Sequence, residues 1–122
     1  MFEKVAPVKY LEFARNLASK PEPEAQRTAA DRAYYATFLH SRDTLAAKGY
    51  ITPYDGLEDH RLVAETLKKR VFSLGNDQEL LRKHRNKITY DTRKVEYPSL
   101  QFMIETADKI IKRVADLPQK SP

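Results

Sequence analysis

Thr28-Ala29-Ala30-Asp31-Arg32-Ala33-Tyr34-Tyr35-Ala36-Thr37-Phe38-Leu39-His40 is the stretch whose reading decides the fold. It is apolar on nearly every side, and a helix of that kind is buried on more than one face. On a wheel of about 100° per residue, Ala30, Tyr34, Phe38 and Leu45 fall on one side, with Ala29, Ala33, Ala36 and His40 on another. The first side fills a core, and the second lets a neighbouring helix come close. Asp31, Tyr35 and Arg42 form a third stripe, polar and aromatic, open to a groove. The segment therefore reads as the central helix of an all-α bundle. Asp31 and Arg32 within it need partners or a task. An ion pair inside one protomer is the plain explanation, and a functional groove is the other.

Composition narrows the classes. The 122 residues predict one domain over 1–122, with 118–122 as a frayed tail. Cysteine is absent, which excludes disulfide frameworks, thiolate zinc sites and cysteine nucleophiles. The start of the chain has no signal-like apolar core, and nowhere do about 18 apolar residues run together, so the expectation is a cytoplasmic protein with no membrane partner. Residues 1–60 hold 8 Lys and Arg against 9 Asp and Glu, while 61–122 hold 14 against 8. The positive charge thus belongs to the second half. Its densest part, 82–94, carries Arg82, Lys83, Arg85, Lys87, Arg93 and Lys94 against Asp91 alone. Such a cluster attracts phosphates, although charge runs are also common on solvated helix faces.

Punctuation sets the element order. The spacing predicts a first helix over Val5 to Ser19, broken by Pro21-Glu22-Pro23, and a second from Pro23 to about Lys48, stopped by Gly49. A third helix is expected from Glu58 or Asp59 to Gly75, and a fourth, capped by Asn76-Asp77, to about Lys87. After a polar stretch from Thr89 to Tyr97, Pro98-Ser99 opens a last helix with Leu100, Met103, Ile104, Ala107, Ile110, Ile111 and Val114 on one stripe. On the fourth helix Leu81, His84 and Ile88 share a stripe with Arg85 at its edge, while Arg82 and Lys83 point elsewhere. Arg85 is the basic residue expected to meet other protein. It either pins a carboxylate, with Asp31 a candidate, or holds a phosphate through its planar fork.

The run Arg32-Ala33-Tyr34-Tyr35-Ala36-Thr37-Phe38 resembles the R-A-Y-Y-A-x-F signature of the HEPN domains, particularly the small stand-alone prokaryotic type. Asp59-His60-Arg61 resembles the start of that family's third helix. Arg85-Asn86-Lys87-Ile88-Thr89-Tyr90-Asp91 is similar to its R-N-x-x-x-Y-D segment. The resemblance spans about residues 5 to 117. It implies an up-and-down four- to five-helix bundle, usually a homodimer with a groove between protomers lined by the second and fourth helices. Many members are metal-independent ribonucleases in toxin-antitoxin or defence systems, some paired with a nucleotidyltransferase-like protein.

The ribonuclease motif of that family is an arginine, a polar residue and then a histidine after four to six intervening residues. Arg85 and Asn86 match its start, but positions 90 to 92 are Tyr90, Asp91 and Thr92. Metal-free RNA cleavage needs a base near neutrality, and tyrosine, with a pKa of about 10, is a poor one. His84 and His60 stand as substitutes, the first expected to be a satisfied bundle histidine and the second a local cap or pair. No two histidines lie at i, i+3 or i, i+4, so no metal site and no cofactor is expected. The favoured expectation is a non-catalytic homodimeric module whose groove holds RNA, a nucleotide or a nucleotidyltransferase-like partner through Asp31, Arg32, Tyr35, Arg85, Asn86 and Tyr90. In that reading Arg82, Lys83, Lys87, Arg93 and Lys94 attract phosphate. The alternative is a metal-independent endoribonuclease using Arg85 with Tyr90 or His84.

Overall fold

A computed structural model describes residues 1–93 and 99–121. Among them the chain forms α1 (Pro7–Ala18), α2 (Pro23–Ala47), α3 (Glu58–Arg70), α4 (Phe72–Tyr90) and α5 (Leu100–Ala115), with no strand. Pro7 and Pro23 sit in the first turns of α1 and α2, where a missing N–H costs nothing. Gly49 follows α2 at φ +86°, a left-handed turn that glycine adopts without strain. Ser99 caps α5 by accepting from the Phe102 amide at 3.1 Å.

The central position of α2 follows from its two apolar sides. It packs against each of the other four helices. Ala29, Ala33 and Ala36 are fully buried, and side chains this small let the neighbouring backbones approach. Tyr34, Phe38 and Leu45 are buried on the other side with Leu11, Leu67, Leu81 and Ile110 in one continuous core. None of the described helices is long and apolar enough to cross a membrane.

Two boundaries differ from expectation. The break between α3 and α4 falls at Val71, whose backbone is extended (φ −142°, ψ 99°), not at Gly75. Gly75 lies inside α4, buried against α3. Asp77 caps nothing; it pairs with Lys109 of α5 at 2.7 Å. The C-terminal segment expected to fray is bonded instead: the Lys120 amide donates to Lys48 O at 2.9 Å and the Tyr50 hydroxyl donates to Pro118 O at 2.6 Å. The polar stretch after α4 is described only as far as Arg93, and positions 94–98 lie outside the described residues.

Candidate functional site

α2 and α4 run antiparallel, as three contacts along them show: Arg27 with the end of α4, Asp31 with Arg85, and Thr37 with Gln78. Arg27 donates to the carbonyls of Ile88 at 2.8 Å, Asp91, and Arg93 at 2.5 Å. The last carbonyls of a helix have no partner within it, so this arginine closes α4 and fixes the chain beyond it. Sequence reading passed over Arg27, although its place one turn before Asp31 on the same face was a usable signal.

One turn further along, three charges meet. The Asp31 carboxylate accepts from Arg85 Nε at 2.9 Å through one oxygen, and from Arg32 Nε at 3.1 Å and Nη2 at 2.5 Å through the other. Arg85 Nη1 donates to Asn86 Oδ1 at 2.6 Å. Arg85 also lies 5.2 Å from the centre of the Tyr34 ring, and Arg32 lies 4.6 Å from that of Tyr35. Tyr35 in turn meets Tyr10 edge to face. Arg85 and Asp31 are only 19% and 16% exposed, and Arg32 is 31% exposed. One carboxylate is thus shared between two guanidiniums, which leaves the half-buried cluster with an unbalanced positive charge. The pairing that sequence left open forms within one chain.

The cluster borders a surface depression of about 410 Å³ lined by Phe13, Arg27, Thr28, Asp31, Arg32 and Thr89. Around the end of α4 a second, about 420 Å³, is lined by Asn86, Lys87, Tyr90, Asp91, Thr92 and Arg93. Tyr90 is 74% exposed and makes no bond to Arg85 among the described residues. The expected phosphate-attracting residues scatter. Lys87 is exposed on the second depression, Lys83 pairs loosely with Glu79 at 3.9 Å, and Arg93 is engaged with Asp91 at 3.0 Å. Lys94 lies outside the described residues. Arg82, expected to point away from the bundle, lies close enough to Tyr34 and His60 for its charge to act on both.

His60 is where local reading fails most. It is neither a cap nor paired with its neighbour: its ring stacks on Phe38 with centroids 3.9 Å apart, and its Nδ1 lies 2.5 Å from the Tyr34 hydroxyl. Asp59 does the local work, accepting from the amides of Tyr54 and Asp55. Burial, then the charges of Arg82 and Arg85, push the His60 imidazole down to about 4, while burial pushes the Tyr34 phenol up to about 12. At pH 7 both are neutral. His84 is half-buried, and burial lowers its proton affinity, with Lys87 adding to the effect; burial also lowers that of His40.

These shifts predict an acid sensitivity. The folded state refuses protons that an unfolded histidine, at about 6.5, accepts. The stability from His60 is therefore complete above pH 6.5 and drains away as pH falls toward 4. Unfolding midpoints measured across that window should drop in the wild type and drop less steeply in His60→Gln. The difference, discounted for the partial exposure of the ring, should be about 1 kcal/mol. Equal slopes would mean that His60 is solvated.

No family model, curated protein or solved structure matches this chain. The site offers the guanidiniums of Arg27 and Arg32 on a shallow depression, where the Asp31 carboxylate is already shared between Arg32 and Arg85. Among the described residues no group of His, Asp and Glu is placed to hold a metal ion.

Proposed function

We propose that this chain is a HEPN-type binding module that acts as a homodimer and grips RNA by its phosphates without cutting it. The observation that carries the reading is the unbalanced charge of Asp31, Arg32 and Arg85 at the edge of the depression between α1, α2 and the end of α4. A half-buried excess cation is stabilised by an anion, and the planar fork of arginine suits phosphate oxygens. Tyr90 and Lys87 on the adjoining depression supply a ring for stacking and a further charge. Exposed Phe13 on α1, which lines the first depression, gives a second copy an apolar contact to cover. The absence of cleavage is supported by His60, whose Nδ1 is bonded to Tyr34, and by Tyr90, Asp91 and Thr92 standing where the family's histidine would fall.

The test is binding of a labelled single-stranded RNA in EDTA over a series of salt concentrations. Affinity should fall steeply with salt, and Arg32→Gln should weaken binding and reduce the salt slope by about 0.7 to 1. RNA that stays intact supports the reading. Cleavage by the wild type that is lost in Arg85→Gln would replace it with the ribonuclease alternative. Salt-insensitive binding, or none, would remove the RNA groove, and light scattering at the mass of one chain would remove the dimer.

A further inference from the structure

The side-chain amide of Asn86 can face only one way. Asp31 pins Arg85 by accepting from its Nε at 2.9 Å, and the Nη1 of the same guanidinium donates to Asn86 Oδ1 at 2.6 Å. A guanidinium has donors alone, so the atom that meets it must be the amide oxygen. The other end of the amide, Nδ2 with its two protons, has no acceptor among the described residues. Asn86 is half-buried and lines the depression of about 420 Å³ at the end of α4, whereas Arg85 does not. With its oxygen committed to Arg85, Asn86 offers that depression a donor.

The rest of the lining has a matching character. Tyr90 follows Asn86 by one helical turn, which puts their Cβ atoms about 5 to 6 Å apart on one face, and its ring is exposed. Lys87 is exposed in the same depression and pairs with no carboxylate among the described residues. Asp91, the acid of this lining, is taken up by Arg93: its Oδ1 accepts from the Arg93 amide at 2.9 Å and from Nε at 3.0 Å, and its Oδ2 from Nη2 at 3.0 Å. A free aromatic face thus stands beside two free donors, with the carboxylate already neutralised.

Any base can stack on a tyrosine, so the edge of the base decides selectivity. Guanine presents two adjacent acceptors, O6 and N7; adenine replaces O6 with an amino donor. A free asparagine reads adenine by accepting from N6 and donating to N7. Asn86 has no oxygen left for that contact, and its amino group would face the adenine amino group.

We propose that the depression at the end of α4 is a base-reading subsite that selects guanine: the purine stacks on Tyr90, Asn86 Nδ2 donates to O6 and Lys87 Nζ donates to N7. The subsite rests on the RNA reading above and makes Asn86, oriented by Arg85, its specificity-determining residue.

The experiment titrates the full chain with guanosine, inosine and adenosine 5′-monophosphate, following by NMR the backbone amides of Asn86 to Thr92 and the Asn86 side-chain amide. Guanosine monophosphate should bind about tenfold more tightly than adenosine monophosphate. Inosine monophosphate, which keeps O6 and N7, should bind like the guanine nucleotide. Asn86→Ala should bring the ratio to about one, and Asn86→Asp, which keeps an acceptor for Arg85 but turns a second one to the base, should bring it below one. Tyr90→Leu should weaken both nucleotides by about tenfold. Equal binding of the guanine and adenine nucleotides, inosine behaving like adenine, or an undiminished guanine preference in Asn86→Asp would each overturn the proposal. Salt-dependent RNA binding that persists beside equal nucleotide affinities would sink the subsite and leave the RNA reading standing. Selective guanine binding without RNA binding would do the reverse.

Discussion

Asp31→Ala is expected to destabilise the protein by about 3 kcal/mol or more in denaturant unfolding. The residue holds two arginines at once, with Arg85 Nε at 2.9 Å and Arg32 Nη2 at 2.5 Å, and all three side chains are mostly withdrawn from water. Truncation leaves two guanidiniums of like charge side by side without their shared carboxylate. Desolvation already spent is then uncompensated, which is why breaking such a cluster costs more than the pair is worth. Arg85→Met on the Asp31→Ala background removes one of the orphaned charges and should recover part of the loss. A double-mutant cycle should therefore show coupling of about 1 to 3 kcal/mol. A change below about 0.5 kcal/mol for Asp31→Ala would mean that water screens the cluster. Affinity for RNA separates stability from function: Asp31→Ala raises the net charge by one and should not weaken salt-dependent binding in whatever fraction stays folded.

The same cluster shows what a single sequence displays and what it hides. Asp31, Arg32 and Arg85 stand out because charged residues inside apolar helical stripes are rare; the wheel put Asp31 on a stripe open to a groove and Arg85 at the edge of another, which made their pairing one of two open readings. The extents of α2 and α5 were legible for related reasons: Pro23, Gly49 and Ser99 are local stop and start signals, and the apolar stripes obey one period. His60 was not legible. Its partners, Tyr34 and Phe38, lie more than twenty residues away, and nothing adjacent to Asp59-His60-Arg61 encodes a stack on another helix. Arg82 was misplaced because the stripe was drawn through Leu81, His84 and Ile88. Gln78, fully buried one turn before Arg82, marks a second inward line that apolar periodicity cannot register. The tail was read from composition, yet Lys48, Tyr50 and Lys120 bond across it, and such contacts leave no trace in local pattern. The family resemblance supplies the dimer and the RNA, and these are for the binding and light-scattering measurements to decide.

Gly75→Ala separates local from tertiary causes by the sign of its effect. Within a helix, replacing glycine by alanine should stabilise by about 1 kcal/mol on propensity alone. Gly75, however, is the point where α4 lies directly on α3: an added Cβ would meet the Lys68 backbone nitrogen and side chain, and would come within 2.7 Å of Ala64 O. Two of these obstacles are main chain and cannot rotate away. Since Val71 alone separates α3 from α4, the helices have no slack with which to slide apart. The expected result is a loss of about 3 kcal/mol, read as a lower denaturant midpoint. Gly56→Ala is the contrast, because the atoms its Cβ would meet belong to the flexible end of Glu58. That variant should stay within about 0.5 kcal/mol of wild type. A Gly75→Ala protein more stable than wild type would show that α3 and α4 do not approach this closely at Lys68 and Ala64.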